Sequence, residues 1–550
     1  MSREVQHTPK ERASIKEQLR YVIGLQSQEQ FDNHLQIGKE FFPSSLLSPE
    51  ERTSELHATG YSTLINNPLY IAEAQTTPIV LHTMDAGLGN NVNRDLYLEE
   101  MKELLWDRAF LEGQKGAKSM DLYLFWLDLV DQMKDQFRSI ADIKIHRAIH
   151  QAHRYAGTHI EVLVNNQSLP SMQGIYDRYK EVLLAHGIEV SFKVEEQLPL
   201  IDIDTQRLNF DQTSPGGHGY AGRLILDDIR TSTKEKCGSV GAIYNGDGVN
   251  NGISPELVGF IKKKKAAFVL LSTTRTPADV KGGIIGLKKT ESGGRVPYLM
   301  ELAQANGQSE DFAKIGVSDD AEIAGQKHYK GEQYFNTNTV LLNEDLLHDF
   351  LDRIYKEMKE EEYNRIVSPE FMRKTKKSDV DDKEYLCPEG ALGSLVFRLN
   401  EEVHTNDSLR QMWKEVSGDS EFLQIVNVEE EYREELFTPV KYSSDFYLQE
   451  YSDRYYLETD PSSERYATLV SQAPGCPLKL EGDLINSKSY YGSVWNLIHS
   501  FGFARMRELK SLDIKGAISC PDAIWKGNVR IVSEWKGKST FILDQYYLKR

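Results

Sequence analysis

Hydrophobic residues in the central part of the chain fall in short runs, and longer amphipathic stretches separate these runs. The stretches, such as residues 174–188 (GIYDRYKEVLLAHGI), carry apolar residues at helical spacing. Four runs have strand character: PIVLHTM (78–84), HIEVLVNN (159–166), SVGAIYNGD (239–247) and KAAFVLLSTT (265–274). Strands that alternate with helices from about residue 77 to 350 predict an α/β fold with a mostly parallel sheet, covered on both faces.

The two ends of the chain have different patterns. Residues 11–42 are polar with apolar residues at helical spacing, which predicts an amphipathic N-terminal helical segment. Residues 478–550 form short segments between closely spaced turns, which predicts a small β-solenoid-like appendage preceded by a helix near 495–507. We therefore divide the chain into a helical segment (1–60), an α/β domain (61–455) and a C-terminal β domain (456–550).

Two segments of the α/β part are less regular. Residues 355–385 are dense in charge, which indicates a solvated helix followed by a mobile loop. Residues 437–448 return to a pattern that is typical of a strand.

The length, net charge and cysteine content of the chain argue against several classes of protein. A chain of 550 residues allows two to four domains. The charges sum to 65 − 83 = −18, which argues against general binding to nucleic acid or to anionic membranes. The apolar runs are too short to span a bilayer, and residues 1–12 contain no hydrophobic signal segment. The four cysteines lie far apart with no CxxC pair, which argues against a zinc site or a disulfide framework and favours a cytoplasmic location.

Four segments carry residues suited to ligand chemistry, although each one alone also fits an ordinary loop. MDAGLGN (84–90) follows a predicted strand, and its glycines allow close approach of the backbone to a ligand. SPGGHGY (214–220) places a histidine among three glycines. In YNGDG (244–248), a carboxylate at a strand end is suited to hold Mg²⁺ against phosphate oxygens. Lys441, in FTPVKYSSD, could provide a positive charge for phosphate.

Two other charged clusters are less informative. His146, His150 and His153 share one helix face, but no HExxH glutamate accompanies them, so a metal site there is not favoured. Lysines 262–265 precede an apolar run, and we expect them to end a helix, where cations complement the helix dipole.

The order of the motifs is more informative than any one of them. Along the chain they read MDAGLGN, VEEQLP, PGGHG, NGD, PADVKGG (277–283), FNTN (335–338), PEGALG (388–393) and FTPVK (437–441). This series resembles the eukaryotic-type UTP–glucose-1-phosphate uridylyltransferase family, also called UDP-glucose pyrophosphorylases. The family patterns run LNGGLGT, a glutamine segment, PPGHGD, NSDNLG, DVKGG, FNTNN, LETAIG and FLPVK. The resemblance implies a Rossmann-like nucleotide-diphospho-sugar transferase sheet followed by a C-terminal left-handed β-helix.

The resemblance also implies where the nucleotide binds. Gln197 would read the uracil, and the other residues in contact with the uridine would be Met84, Asp85, Ala86, Gly87 and Gly217. Asn245 and Gly246 would lie beside the UTP α-phosphate, and Asp247 would hold Mg²⁺.

The same carry-over gives the sugar side and the catalytic cations. His218 would face the sugar phosphate, while Asn338 and Gly283, which ends a Gly282–Gly283 turn, would lie near the hexose. Lys441 would pair with phosphate oxygens and act with Asp247 and a lysine of the glycine-loop region.

The chain departs from the family pattern in several places. Ala86 replaces a glycine, Asn90 replaces a threonine, and Tyr220 replaces the acidic residue after PGHG. The family lysine of a GPKS sequence has its nearest equivalent in Lys118 of GAKS, after a longer insertion, and Arg94 is a rival for its role. These changes bear on sugar choice and turnover more than on the fold.

The reaction implied is UTP + glucose 1-phosphate → UDP-glucose + pyrophosphate with Mg²⁺, so the expected partners are UTP and a hexose 1-phosphate. Two alternatives stay open: a UDP-N-acetylhexosamine pyrophosphorylase, and a non-catalytic UDP-sugar-binding protein on the same fold. A β-solenoid tail exposes an edge strand, so a homo-oligomer formed through the C-terminal domain is a further hypothesis.

Overall fold

The computed structural model defines most of the chain outside its N-terminal segment. The residues that it describes are 56, 58–85, 139–195, 197–203, 208–233, 239–274, 279, 283–290, 293–300, 334–369, 371–378, 381, 383–476, 478–521, 523–534 and 538–542. The predicted N-terminal helical segment therefore lies almost wholly outside the described residues, as do Ala86, Gly87, Arg94 and Lys118.

Helices and strands alternate through the α/β part of the molecule. The strands are β1 (Thr59–Gly60), β2 (Pro78–Met84), β3 (Gly157–Val164), β4 (Ile188–Val194), β5 (Gln197–Asp202), β6 (Leu208–Pro215), β7 (Val240–Asn245), β8 (Phe268–Thr274), β9 (Ile284–Lys289), β10 (Arg295–Met300), β11 (Tyr334–Asn343), β12 (Phe371–Lys377), β13 (Glu384–Gly390), β14 (Leu423–Val428), β15 (Tyr455–Glu458), β16 (Thr468–Ser471), β17 (Lys479–Gly482), β18 (Arg505–Lys515), β19 (Ile524–Glu534) and β20 (Lys538–Ile542). The helices are α1 (Pro68–Gln75), α2 (Ile140–Gln151), α3 (Leu169–Ala185), α4 (Gly217–Thr231), α5 (Pro255–Lys264), α6 (Glu344–Glu357), α7 (Lys359–Ile366), α8 (Leu392–Thr405), α9 (Asp407–Ser417), α10 (Arg433–Leu436), α11 (Ser443–Tyr451) and α12 (Val494–Phe501).

The central sheet is mixed and largely parallel. Its strand order is β1-β14-β8-β11-β7-β2-β3-β4, and β9 and β10 extend from β11. All pairs along this path are parallel except those of β11, which runs antiparallel to both β7 and β8. The predicted α/β class and mostly parallel sheet are therefore confirmed, and the four predicted strands are β2, β3, β7 and β8.

Apolar side chains on both faces hold the sheet between helices. One core contains Leu226 of α4, Phe350 of α6 and Leu395 of α8, while another contains Phe260 of α5 and Val426 of β14. A largely parallel sheet covered on both faces favours strands that are apolar on both faces, which explains why its strands appear in the sequence as short, mostly apolar runs.

Helix α5 shows how local sequence sets an element end. It begins with Pro255 at its first turn, where a missing N–H costs nothing. It ends in lysines 262–264, and Lys265 adopts a left-handed conformation with φ 52°. The predicted lysine-rich helix end is confirmed, and the lysines complement the negative end of the helix dipole.

A second, antiparallel sheet lies beside the central one, with strand order β12-β13-β5-β6. Two of its strands occupy residues 371–377 and 384–390, inside the charge-dense segment and just after it. Residues 355–385 therefore form the end of α6, helix α7 and strands as well as loops. The predicted single helix followed by a mobile loop is wrong.

The C-terminal part contains strands β17, β18 and β19, which pair in parallel, and β20, which pairs antiparallel with β19. Parallel pairing of successive strands is what a solenoid requires, while the left-handed β-helix itself stays a prediction. The predicted helix at 495–507 is too long: α12 stops at Phe501, because Gly502 has a positive φ of 58° and β18 begins at Arg505.

Residues 437–448 do not form a strand. Residues 437–442 are irregular and lead into α11. The N–H groups of Lys441 and Tyr442 both donate to Oδ2 of Asp445 at 2.9 Å, which fixes the start of that helix. Among the described residues, no helix has the length and apolar character needed to cross a membrane.

Candidate active site

The neighbouring parallel strands β2 and β7 end together at one edge of the central sheet. The N–H of Gly246, just beyond β7, donates to the carbonyl of Met84 at 3.0 Å. The buried Asp85 follows β2, and its carboxylate lies so close to Gly246 that a Cβ atom there would overlap Oδ1. The missing side chain at Gly246 thus leaves room for the Asp85 carboxylate beside the turn that carries Asp247.

One asparagine connects three of the motifs at this edge. The side-chain amide of Asn338 donates to Oδ1 of Asn245 at 3.1 Å and also to Nδ1 of His218. Asn338 has a left-handed backbone with φ 62°, and the N–H of Asn338 donates to Oδ1 of Asn336 at 3.0 Å. This local turn aims the Asn338 amide at the other two motifs.

The glycine-rich turn before α4 packs against the end of β13. The N–H of Gly390 donates to the carbonyl of Gly216 at 3.2 Å. Gly217 has a φ of 75°, and a Cβ atom there would lie 2.5 Å from Cγ of Glu389. Only glycine combines this backbone conformation with so close an approach, so the PGGHG and PEGALG motifs are structurally interdependent.

Lys441 reaches the same region from the irregular segment before α11. Its ammonium lies 5.3 Å from the centre of the Phe335 ring. Burial lowers the pKa of Lys441, against the opposing effect of the Asp279, Asp445 and Asp247 carboxylates. A buried ion pair supports the position of Lys441: both Arg433 amino groups donate to Asp279, at 2.6 and 2.7 Å.

These elements enclose a cavity of about 210 Å³. Its lining includes five residues that the sequence predicted for one site: His218, Asn245, Gly283, Asn338 and Lys441. It also includes Phe335, Asn336, Thr337, Glu389, Gly390, Ala391, Phe437 and Pro439. Residues as far apart in the chain as His218 and Lys441 therefore face one space at the carboxyl edge of β7.

The sequence analysis missed a cation at this edge, Lys144 of α2. Its ammonium donates to the carbonyl of Asn245 at 3.0 Å and lies 4.9 Å from the centre of the Tyr244 ring. Burial lowers the pKa of Lys144 to about 7, although Asp85 and Asp247 oppose the shift. The signal in the sequence was a lysine between Ile143 and Ile145, which by itself is typical of an ordinary amphipathic helix.

Two other predicted residues, Met84 and Gln197, do not line this cavity. Met84 is buried at the end of β2. Gln197 lies at the start of β5 in the second sheet, where the hydroxyl of Thr213 donates to its Oε1 at 2.6 Å. The three histidines 146, 150 and 153 line a different cavity.

The donor atoms at the β2–β7 edge fit a Mg²⁺ ion. Asp85 and Asp247 are carboxylates, and Mg²⁺ typically takes one or two carboxylates together with substrate phosphates. Where the structure describes the chain, no group of three or more His, Cys, Asp or Glu side chains could hold a metal by itself. The site thus suits an ion whose remaining ligands come from a nucleotide and water.

Comparison with known proteins supports the fold. No protein-family model and no curated protein sequence matches the chain. A solved structure from Trypanosoma brucei, titled UDP-glucose phosphorylase, is 18% identical, with a TM-score of 0.60 and coverage of 94% of this chain and 95% of its own. The UDP-glucose pyrophosphorylase of Leishmania major is 17% identical, with a TM-score of 0.61 and coverage of 91% and 89%.

A mutant of the Leishmania major enzyme in complex with UDP-glucose is also 17% identical, with a TM-score of 0.62 and coverage of 96% of this chain and 95% of its own. The resemblance to this family, first recognised from the motif order, is therefore confirmed at the level of the fold. At such identities, the activity has to be argued from the site.

Proposed function

We propose that this protein is a uridylyltransferase that forms UDP-glucose and pyrophosphate from UTP and glucose 1-phosphate. The observation that carries the proposal is the single cavity bordered by His218, Asn245, Asn338 and Lys441. Such a location, at the carboxyl edge of a largely parallel sheet, is where this class of sheet binds ligands. The structural neighbours from Leishmania major, which are named as UDP-glucose pyrophosphorylases, support the same activity.

In the proposed reaction, an oxygen of the sugar phosphate attacks the α-phosphorus of UTP. The new bond joins that oxygen to the α-phosphorus, the bond to the α–β bridging oxygen breaks, and its electron pair leaves with pyrophosphate. Transfers of this kind depend on positioning and on stabilisation of charge rather than on covalent catalysis by the protein.

Positive charge is the first requirement, because two polyanions must meet. Two unit charges 4 Å apart repel by about 1 kcal/mol at the dielectric constant of water and by about 4 kcal/mol at an effective value of 20. Lys441 at the cavity and Lys144 at the neighbouring strand edge are half-buried, and a bound phosphate would favour their protonated, positively charged forms. These local charges explain how a chain of net charge −18 could bind anions.

We assign the metal to the edge between β2 and β7, with Asp247 as its main protein ligand and Asp85 beside it. A bound Mg²⁺ would neutralise phosphate charge and orient the nucleotide. The protein's own part is to hold Asp85 against the glycine turn and to keep the Asn245 side chain directed towards Asn338.

The sugar phosphate is assigned to the side of the cavity formed by His218, Asn338 and Gly283. Amide and imidazole groups can both donate to and accept from hydroxyl and phosphate oxygens. The hydrogen bond from Asn338 to His218 would keep both groups in place before the substrate arrives.

The direct test is pyrophosphate release from the purified chain with UTP, Mg²⁺ and a panel of hexose 1-phosphates. Glucose 1-phosphate should give the highest rate. Preference for N-acetylhexosamine 1-phosphate would instead support the sister pyrophosphorylase. Binding of UDP-glucose without pyrophosphate release from any sugar phosphate would support a non-catalytic binding protein.

A further inference from the structure

A cavity of about 350 Å³ lies between helix α2 and the central sheet, and five tyrosines line it: Tyr61, Tyr155, Tyr176, Tyr244 and Tyr432. We name it the tyrosine cavity. It shares no lining residue with the cavity of the proposed active site. Its volume is in the range of about 300–1,000 Å³ that is typical of sites for small molecules.

The walls of the tyrosine cavity are mainly apolar and aromatic. Ile79 and Leu81 of β2 and Ile160 of β3 form the sheet side, and Ile145 and Ala148 of α2 form the helix side. Aromatic walls favour edge-to-face or offset contacts with another ring. An apolar cavity of about 150 Å³ already holds benzene, so the tyrosine cavity has room for a larger ring compound.

The hydroxyl of Tyr155 faces this cavity without a partner. Tyr155 is 8% exposed, and its Oη forms no hydrogen bond within the described part of the chain. Burial raises the pKa of Tyr155, and the neighbouring groups that act on this pKa are Arg154, Glu256, Tyr61 and Tyr244. All four line the tyrosine cavity, and none of them lines the histidine-lined cavity that Tyr155 also borders.

A buried hydroxyl without a hydrogen bond favours an oxygen of a ligand beside it, because the group has lost the bonds that it makes with water in the unfolded chain. Thr158 borders the cavity as well, is 7% exposed, and has an Oγ1 with no partner among the described residues. Both groups are hydroxyls, which can donate and accept. The occupant should therefore carry an oxygen that hydrogen-bonds to a phenol.

The charged groups around the cavity favour an uncharged occupant. Arg465 forms an ion pair with Glu435 at 2.8 Å, and Arg154 donates to the carbonyl of Glu464 at 3.4 Å. The negative charge of Glu256 acts on the hydroxyl of Tyr155, so a carboxylate placed beside that hydroxyl would be repelled. Moving a charge from water into this buried end would also cost desolvation.

We propose that the tyrosine cavity is a binding site for an uncharged, hydroxylated ring compound of the phenol type, whose oxygen forms a hydrogen bond with the hydroxyl of Tyr155. Its ring would pack among the tyrosines and the isoleucines of β2 and β3. The site is separate from the proposed active site and does not rest on the proposed function.

Calorimetric titration of the full chain with three matched compounds tests this site. The compounds are p-cresol, toluene, which lacks the hydroxyl, and 4-hydroxybenzoate, in which a carboxylate replaces the methyl group. Wild type should bind p-cresol saturably and 4-hydroxybenzoate more weakly. In Tyr155→Phe, the ratio of p-cresol affinity to toluene affinity should be about 5-fold smaller than in wild type, the scale of one neutral hydrogen bond.

Two further variants serve as controls. Tyr456, which is 42% exposed, loses its hydroxyl in Tyr456→Phe, and this change should leave the ratio of affinities unaltered. Asn338→Gly, in the proposed active site, should bind p-cresol as wild type does, because Asn338 does not line the tyrosine cavity. Tyr155→Phe should unfold at a temperature no lower than that of wild type, because the hydroxyl that it loses has no partner in the described part of the protein.

Four results would overturn this site: no saturable binding of p-cresol, the same ratio of affinities in wild type and Tyr155→Phe, tighter binding of 4-hydroxybenzoate than of p-cresol, or loss of p-cresol binding in Asn338→Gly. A lower unfolding temperature in Tyr155→Phe would contradict the unpartnered hydroxyl on which the site depends. None of these results bears on the proposed function, which pyrophosphate release tests separately.

Discussion

The side-chain amide of Asn338 donates a hydrogen bond to Oδ1 of Asn245 across 3.1 Å, although 93 residues separate the two in the chain. They lie on the antiparallel neighbours β11 and β7, and the pairing of β11 with β8 shifts register between Asn336 and Thr339. This β-bulge accommodates Asn338 in its left-handed conformation. The irregularity in the sheet is thus what directs an amide into the cavity, as bulges near functional sites often do.

Asn338 permits a matched pair of substitutions. Asn338→Gly removes the amide but tolerates a φ of 62°, so it should retain stability while lowering the rate and weakening binding of the sugar phosphate. Asn338→Ala should lose the same activity and also about 1–2 kcal/mol of unfolding free energy, because a Cβ disfavours this conformation. Steady-state kinetics and chemical unfolding check both, and full activity in Asn338→Gly would remove the residue from the site.

Lys441→Met keeps an aliphatic side chain against Phe335 but removes the charge. We expect turnover to fall by at least ~10²-fold, the scale of losing one preorganised electrostatic group. The exposed Lys356→Met on α6 serves as a control for loss of a lysine elsewhere. A wild-type rate of pyrophosphate release in Lys441→Met would contradict the assignment of Lys441.

Three cations compete for the role of the family's glycine-loop lysine. The resemblance offers Lys118 or Arg94, and the structure adds Lys144 through its contact with Asn245. Because Lys144 lies beside Asp85 and Asp247, we expect Lys144→Met to lower kcat more than Lys118→Ala or Arg94→Ala. Steady-state kinetics of the three variants rank their effects on kcat. A wild-type kcat in Lys144→Met would show that the charge of Lys144 does not act on the substrate.

The metal assignment has its own test. Chelation with EDTA should abolish pyrophosphate release, and added Mg²⁺ should restore it. Asp247→Asn should raise the Mg²⁺ concentration needed for half-maximal rate, because an amide binds a hard cation more weakly than a carboxylate does. Asp352→Asn, on the surface of α6, is the control. Equal Mg²⁺ dependence in wild type and Asp247→Asn would exclude Asp247 as a ligand.

The buried His82 and its neighbours Glu161 and Glu344 predict that the free energy of unfolding depends on pH. Burial alone would lower the pKa of His82, but the carboxylates of Glu161 and Glu344, at 3.4 and 3.6 Å from its ring nitrogens, outweigh it and raise the pKa to about 9. Because the folded-state pKa lies above the ordinary 6.5, the stabilisation is complete below pH 6.5 and is lost as the pH rises through 9. The loss should be about 3 kcal/mol.

Chemical unfolding at several pH values measures this effect. Glu161→Gln removes one partner charge and should make the fall in unfolding free energy between pH 6.5 and 9 smaller than in wild type. Equal slopes in the two proteins would contradict the assigned charge on His82.

The parts of the fold that could be predicted are those whose local sequence pattern favours one type of secondary structure. Strands β2, β3, β7 and β8 are short, mostly apolar segments, and their length and their alternation with helices favour strands of a buried sheet. The glycine turns were also visible, because clustered glycines disfavour regular elements. The motif order then indicated which loops share a site.

The parts that were missed depend on contacts distant in sequence. Helix α11 resembled a strand because Phe446, Tyr447 and Leu448 are all buried, and a short apolar run cannot distinguish a buried helix from a strand. Lys144 belongs to the site region only because folding brings Asn245 to it.

A crystal structure of the chain with UDP-glucose tests the proposed active site most directly. We expect one nucleotide sugar at the carboxyl edge of β7, with the diphosphate near Lys441, the hexose beside Asn338 and His218, and the base next to Gly217. A nucleotide sugar bound elsewhere, with Asp247, His218 and Lys441 all remote from it, would contradict the claim that these residues form one active site.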